Sequence, residues 1–166
     1  FGPPGTGKTT RAKRDIEQAV DKHGSDGVLV CSFTRAAAIN IASRDLTVDR
    51  DNVGTLHAIC HRKLQRPALA ELHAHEFSEK HPDMSLSVKA GKAQIDEVMD
   101  APASQQGRGD KYHADYQIKR AKMVPQELWP TQTQRFGKLW HAWKVKNNYL
   151  DFTDLIENSL EYIKTA

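Results

Sequence analysis

The spacing of apolar positions changes along the chain, and each change marks an element. Over residues 8–22, Ala12, Ile16, Ala19 and Val20 recur at helical intervals, which predicts an amphipathic helix directly after a glycine- and proline-rich opening. Gly24, Ser25, Asp26 and Gly27 end it. Val28-Leu29-Val30-Cys31-Ser32-Phe33 is a β-rich run bounded by glycine, expected as a buried parallel strand in which Cys31 is packing. Thr34 is placed to cap an alanine-rich helix over 35–44. Asn52-Val53-Gly54-Thr55 reads as a brief strand or turn, and the helix after it is expected to bury Leu56, Ile59, Cys60 and Leu64. Strand, helix, strand, helix is the grammar of an α/β domain with a parallel sheet.

Beyond Arg66 the pattern becomes helical, with no convincing strand over 67–146. Residues 100–110 have loop composition. Phe136, Leu139, Trp140 and Trp143 fall at i, i+3, i+4 and i+7, an amphipathic helix with Thr131 as its cap; that stripe reads Trp140 and Trp143 as core rather than as platforms for bases. A last helix follows Asp151, with Phe152, Leu155, Ile156, Leu160 and Ile163 on one side. The economical organisation is an α/β body over 1–64, a helical insertion over 65–146 and a return to the body over 147–166.

Composition narrows the class. A chain of 166 residues makes one domain, or one with a sizeable insertion. Lys and Arg number 24 against 21 Asp and Glu, which excludes a polybasic tail but leaves room for a nucleic-acid binder with its cations on one face. Two cysteines make no disulfide framework and suit a reducing compartment, so the expected location is cytoplasmic. No apolar run approaches the ~18 residues of a membrane span, and no leader-like segment opens the chain. The first residue is Phe1 rather than Met, which reads as a piece of a longer chain. Arg108, Lys111, Lys119, Arg120 and Lys122, against Asp110 and Asp115, form a basic stretch that suits a solvated surface or a nucleic-acid contact equally. His57, Cys60 and His61, and the group His73, His75 and His81, lack the ligand spacing of a zinc site.

Gly2-Pro3-Pro4-Gly5-Thr6-Gly7-Lys8-Thr9 fulfils G-x-x-x-x-G-K-[ST] at every fixed position. A polyphosphate needs many donors converging on it, and backbone N–H groups converge only where no Cβ obstructs. A helix opening at Lys8 turns its positive dipole end toward that anion. Gly2 to Thr10 are therefore the candidate nucleotide-binding residues, with Lys8 on the β- and γ-phosphates of ATP and the Thr9 hydroxyl on Mg²⁺.

Three further segments follow. Ser32-Phe33-Thr34-Arg35-Ala36-Ala37-Ala38 resembles motif Ia of UvrD/Rep-type superfamily 1 DNA helicases. Val53-Gly54-Thr55-Leu56-His57 resembles their motif Ib, and Asp151-Phe152-Thr153-Asp154-Leu155-Ile156 resembles the acidic-aromatic segment before their Walker B strand. The resemblance implies a RecA-like P-loop fold with an incomplete parallel sheet, ATP and Mg²⁺ as cofactors, and movement on single-stranded DNA with 3′ to 5′ polarity. It implies DNA contacts at Phe33, Thr34, Arg35, Thr55 and His57, and it places 65–146 as the family's 1B subdomain. Arg35-Ala36 stands where the family often has Asn-Lys, and Ala58 where it often has Ser. The Walker B strand and the second motor domain are the expected partners in the rest of the chain. Asp96-Glu97, the one acid pair that invites comparison with Walker B, follows no apolar strand, so residues 1–166 alone are expected not to turn over ATP. Two alternatives stand beside this reading: an AAA+-type or other P-loop ATPase, and a non-catalytic nucleic-acid-binding remnant.

Overall fold

A computed structural model describes residues 7–43, 47–87 and 107–165, with the side chains of Lys8, Thr9, Arg35, Ala42, Tyr162, Ile163, Lys164 and Thr165 outside the described set. The chain forms two compact units, Phe1–Lys63 and Leu64–Ala166.

In the first unit, α1 (Lys8–His23) runs as its periodicity predicts. β1 (Val30–Ser32), α2 (Arg35–Ala42), β2 (Val53–Thr55) and α3 (Leu56–Lys63) follow. The strands pair in parallel, with Val30 opposite Val53, Cys31 opposite Gly54 and Ser32 opposite Thr55. Ile16, Ala19 and Val20 of α1, with Val30 and Ile41, close over a small core of Val28, Val48 and Val53. Arg62 secures β2: its guanidinium donates to the Asp51 carbonyl from Nε and Nη2 at 3.1 and 2.9 Å, and to the Val53 carbonyl from Nη2 at 3.0 Å.

Two expectations are corrected here. The strand over 28–33 is shorter than its apolar run and is not buried: Cys31 is exposed, as are Leu29 and Phe33. Cys31 lies opposite Gly54, which has no side chain to cover it, and the sheet has two strands among the described residues. In α3, Ile59 and Cys60 are buried, but Leu56 is exposed at the first turn. Leu64 lies beyond the helix and is half-buried, because Gln65 and Arg66 adopt left-handed backbone angles of 62° and 57°.

The second unit holds α4 (Ala74–Lys80), α5 (Asp110–Ala121), α6 (Thr131–Asn147) and α7 (Phe152–Thr165). Its core is aromatic. Phe77 meets Phe136, Trp140 and Trp143 edge-on, with ring centres 5.7, 5.0 and 5.5 Å apart. Trp140 and Trp143 are thus core, as the helical stripe requires. Gly137 allows α5 close to α6, since a Cβ there would meet the Tyr116 ring at 3.0 Å. Thr131 is the first helical residue and not the cap; the cap position belongs to Pro130, whose carbonyl accepts from Gln134 N at 2.9 Å. Leu160 is exposed rather than part of the buried stripe of α7. Of the loop expected over 100–110, residues 107–109 form a turn, Asp110 opens α5, and the remainder lies outside the described residues. The carboxylate of Asp110 accepts from Ser87 N at 2.9 Å and Gly107 N at 2.6 Å, and the Ser87 hydroxyl donates to it. Leu69 and Leu150 form an isolated parallel bridge, with Leu150 N on the Ala68 carbonyl at 3.0 Å and Ala70 N on the Leu150 carbonyl at 2.9 Å. The whole is helix-rich with a small parallel sheet, compatible with an incomplete α/β fold.

Candidate functional site

Gly2 to Thr6 lie outside the described residues; the glycine run enters the structure at Gly7. There φ is 74° and ψ 12°, a left-handed conformation that glycine adopts at no steric cost, and an added Cβ would meet nothing within 4 Å. Lys8 and Thr9 open α1. Among the described residues no side chain caps this helix start, and its first turn contains no acid. The first amides of a helix have no intrahelical acceptor, and helix starts of this kind are in general places where an anion can be met. A shallow depression lined by Gly7, Thr10, Arg11, Arg14, Asp15 and Gln18 runs down α1 from this point.

The motif Ia and Ib residues meet at one sheet edge. Because Ser32 stands opposite Thr55, the carboxyl ends of β1 and β2 lie together, and each strand passes into a helix. Both helices are capped alike: the Thr34 hydroxyl accepts from Ala37 N and the Thr55 hydroxyl from Ala58 N, each at 3.3 Å. Phe33 projects fully into solvent and Leu56 is half exposed, so this edge presents apolar surface between two helix starts. Thr55 is buried. His57 is half-buried, and burial lowers its pKa, which favours the neutral imidazole. Arg35 is the first residue of α2.

The acidic-aromatic segment has a different environment. Asp151 and Asp154 form a reciprocal cap on α7: Asp154 N donates to Asp151 Oδ1 at 2.8 Å, and Asp151 N to Asp154 Oδ2 at 2.9 Å. Around Asp151, which is fully buried, Trp140 Nε1 donates at 3.0 Å, Lys144 Nζ at 2.5 Å and Arg120 Nη1 at 3.1 Å. Arg120 also pairs with Asp154 at 2.8 Å and with Glu157, and Lys144 reaches Asp154. Burial opposes ionisation of Asp151, but Lys144 and Arg120 outweigh it and hold the carboxyl below the usual carboxylate range. Glu71 accepts from Phe152 N at 3.0 Å through Oε1, while its Oε2 has no hydrogen-bond partner among the described residues. Burial, then the Asp151 charge, raises its pKa to about 8. His113 lies in the same core with Nε2 unpartnered, and burial lowers it to about 4. Chemically, this cluster fixes the start of a helix.

Lys144, Glu71 and the inward role of Arg120 are absent from the sequence reading. A signal existed for Lys144: Phe136, Trp140 and Lys144 are four residues apart, so the lysine lies on the buried stripe. The basic stretch is divided by the fold, with Arg120 drawn into the acidic cluster and Lys119 paired to Asp115 at 3.5 Å. Asp96-Glu97 lies outside the described residues. Among the described residues no three His, Cys, Asp or Glu side chains gather as a metal site. His73 instead stacks on Tyr149 with ring centres 4.4 Å apart, and pairs with Glu76 at 3.0 Å.

Comparison with curated proteins and with solved structures found no match. The family model of the UvrD/REP helicase N-terminal domain matches residues 1–166. With the full length matched, the chain belongs to the UvrD/REP helicase N-terminal domain family.

Proposed function

We propose that this chain supplies the ATP-binding loop and part of the single-strand track of a DNA translocase moving 3′ to 5′. The observation that carries the reading is the complete phosphate-loop sequence running into a helix that begins uncapped behind a left-handed Gly7. Helicases of this family use ATP with a divalent metal, and the residues at this site suit both. Gly2, Gly5, Thr6 and Gly7 offer backbone donors, Pro3 and Pro4 shape the turn without donating, and Thr10 completes the first turn. Lys8 brings a point charge to the β- and γ-phosphates, and the Thr9 hydroxyl is a ligand for Mg²⁺. When bound, Mg²⁺ neutralises phosphate charge that these donors leave uncompensated.

Single-stranded DNA is the polymer that suits the β1–β2 edge. Phe33 offers an aromatic face to one base. Thr34 and Arg35 at the start of α2 and His57 in α3 are the candidate phosphate contacts, and buried Thr55 supports the same edge by capping α3. Turnover requires a second acidic ligand and a residue orienting water, which the family carries on its Walker B strand.

The test compares Lys8→Ala with the parent chain by titration of a fluorescent ATP analogue in Mg²⁺. Loss of a charge-assisted contact predicts binding weaker by about 10-fold or more. Equal affinity of the two chains would reject the phosphate-loop assignment.

A further inference from the structure

Charge is sorted across α5. Its two acids serve the interior: Asp110 holds Ser87 and Gly107, and Asp115 accepts from Thr133 Oγ1 at 2.6 Å and pairs with Lys119. Arg120 is committed to the acidic cluster at the start of α7. The outward stripe, read at helical spacing, is Lys111, Ala114, Ile118 and Lys122, with Arg108 before the helix and Met123 after it; all are exposed. Ile118 is 52% exposed and Met123 88%. Among the described residues the stripe thus has Ile118 between cations, and the one acid beside it, Asp115, is taken up by Thr133 and Lys119. At helical rise, Lys111 and Lys122 stand about 16 Å apart.

The end of the stripe is fixed. Met123 adopts φ of 53°, a left-handed position that glycine usually fills. Its N–H closes on the Arg120 carbonyl at 2.8 Å, and Val124 N on the Lys119 carbonyl at 2.9 Å. The Val124 carbonyl in turn accepts from Trp129 Nε1 at 2.8 Å. A flexible, polarizable thioether is therefore held out from a rigid turn, a chemistry suited to adaptable apolar contact.

We propose that this face of α5 docks an acidic amphipathic helix of a partner protein, with the partner's apolar ridge on Ile118 and Met123 and its carboxylates on Arg108, Lys111 and Lys122. Charge complementarity selects the partner, because a face with cations at both ends, whose one intervening acid is already paired with Lys119 and Thr133, favours carboxylates and repels basic helices. The apolar centre selects a protein over a nucleic-acid backbone: phosphates would satisfy the three cations and leave Ile118 and Met123 without a counterpart, whereas a helix laid along the stripe uses both. The surface belongs to the second unit and the phosphate loop and β1–β2 edge to the first, and its test uses different residues from theirs.

The probe is a fluorescein-labelled synthetic helix of 18 residues, about five turns, with leucines at every third and fourth position and glutamates on both flanks. It is titrated with the full chain at low salt and followed by anisotropy. Saturable binding is expected, weakening as salt rises, and a peptide with lysines in place of the glutamates should bind at least about 10-fold more weakly. Ile118→Asp, and separately the pair Lys111→Glu and Lys122→Glu, should each reduce affinity about 10-fold or more. All three side chains are exposed, so the far-UV circular dichroism and thermal midpoint of the variants should match the parent; Lys8→Ala should bind the peptide normally. Equal binding of the acidic and basic peptides, or unchanged affinity in the variants, overturns the proposal. So does a labelled DNA duplex that binds the parent and is lost in these variants while the acidic peptide does not bind, which would make the face a nucleic-acid surface.

Discussion

Lys144 Nζ lies 2.5 Å from Asp151 Oδ2, and neither side chain reaches solvent. The pair survives burial because each partner has further company: Asp151 also accepts from Trp140 and Arg120, and Lys144 also reaches Asp154. Removing one member leaves charge uncompensated in the core, which costs more than the pair contributes when intact. Lys144→Met should lower the stability of the second unit by about 3 kcal/mol, read from urea unfolding. Lys144→Met with Asp151→Asn should recover part of that loss. An unfolding midpoint equal to that of the parent would show that the pair carries no net stability.

Glu71 and His113, both buried and both shifted, contribute to the pH dependence. Glu71 keeps its proton in the fold up to about 8, whereas in the unfolded chain it loses it near ~4.3. Its contribution is therefore full below that lower value and declines as pH rises toward 8, by up to about 1.4 kcal/mol per unit. Glu71→Gln keeps an oxygen for Phe152 N and should flatten this decline, leaving the variant more stable than the parent at pH 8. His113 acts on the acid side: lowered to about 4, it contributes stability above ~6.5 that is lost as pH falls through 4. His113→Phe should remove that loss. Unfolding curves from pH 4 to 9 test both; a parent curve that stays level across the range would contradict them.

Phe33 is fully exposed, so its removal should not affect folding. If it stacks on a base, Phe33→Ala should weaken single-strand binding by about 1–3 kcal/mol with no change in thermal midpoint. Arg35→Ala should weaken binding equally for all sequences and lower the salt slope by about 0.7, one phosphate contact. Fluorescence anisotropy across a salt series separates the two. Variants that bind as the parent does would remove this edge from the DNA track.

Arg62 acts as a staple on β2. Arg62→Met strips donors from the Asp51 and Val53 carbonyls and should cost the first unit about 1–3 kcal/mol. Arg62→Lys should recover little, since one ammonium cannot reproduce the planar fork that spans both carbonyls. Full rescue by lysine would show that charge, rather than the fork, matters.

Much of the first unit is legible in the chain because its signals are local. Glycine ends α1, Thr34 caps α2 where its position suggests, and Val53 to Thr55 form the brief strand that their residue types imply. The exposure of Cys31 is not local information; it depends on Gly54, a partner 23 positions away that offers no side chain. The same limit hides the acidic cluster. Arg120 lies 31 residues before Asp151 and Glu71 81 before Phe152, so no window of sequence shows them together. A lysine in an amphipathic helix is ordinarily read as solvent-facing, although Lys144 shares the stripe of Phe136 and Trp140. The phosphate loop shows the reverse: its chemistry is written in eight consecutive residues, so the sequence speaks of it more fully than the described structure does.

The bridge between Leu69 and Leu150 has a mechanical meaning. The chain leaves that point at Ala70 and returns to it at Tyr149, having built α4, α5 and α6 in between. A pull applied across residues 69 and 150 would be taken first by the two hydrogen bonds at that clasp, Leu150 N to Ala68 O and Ala70 N to Leu150 O. The aromatic core inside the excursion would bear no load until they parted. For a chain of a family that works along DNA, α4, α5 and α6 are thus shielded from tension along the backbone by a clamp only three residues wide on one side.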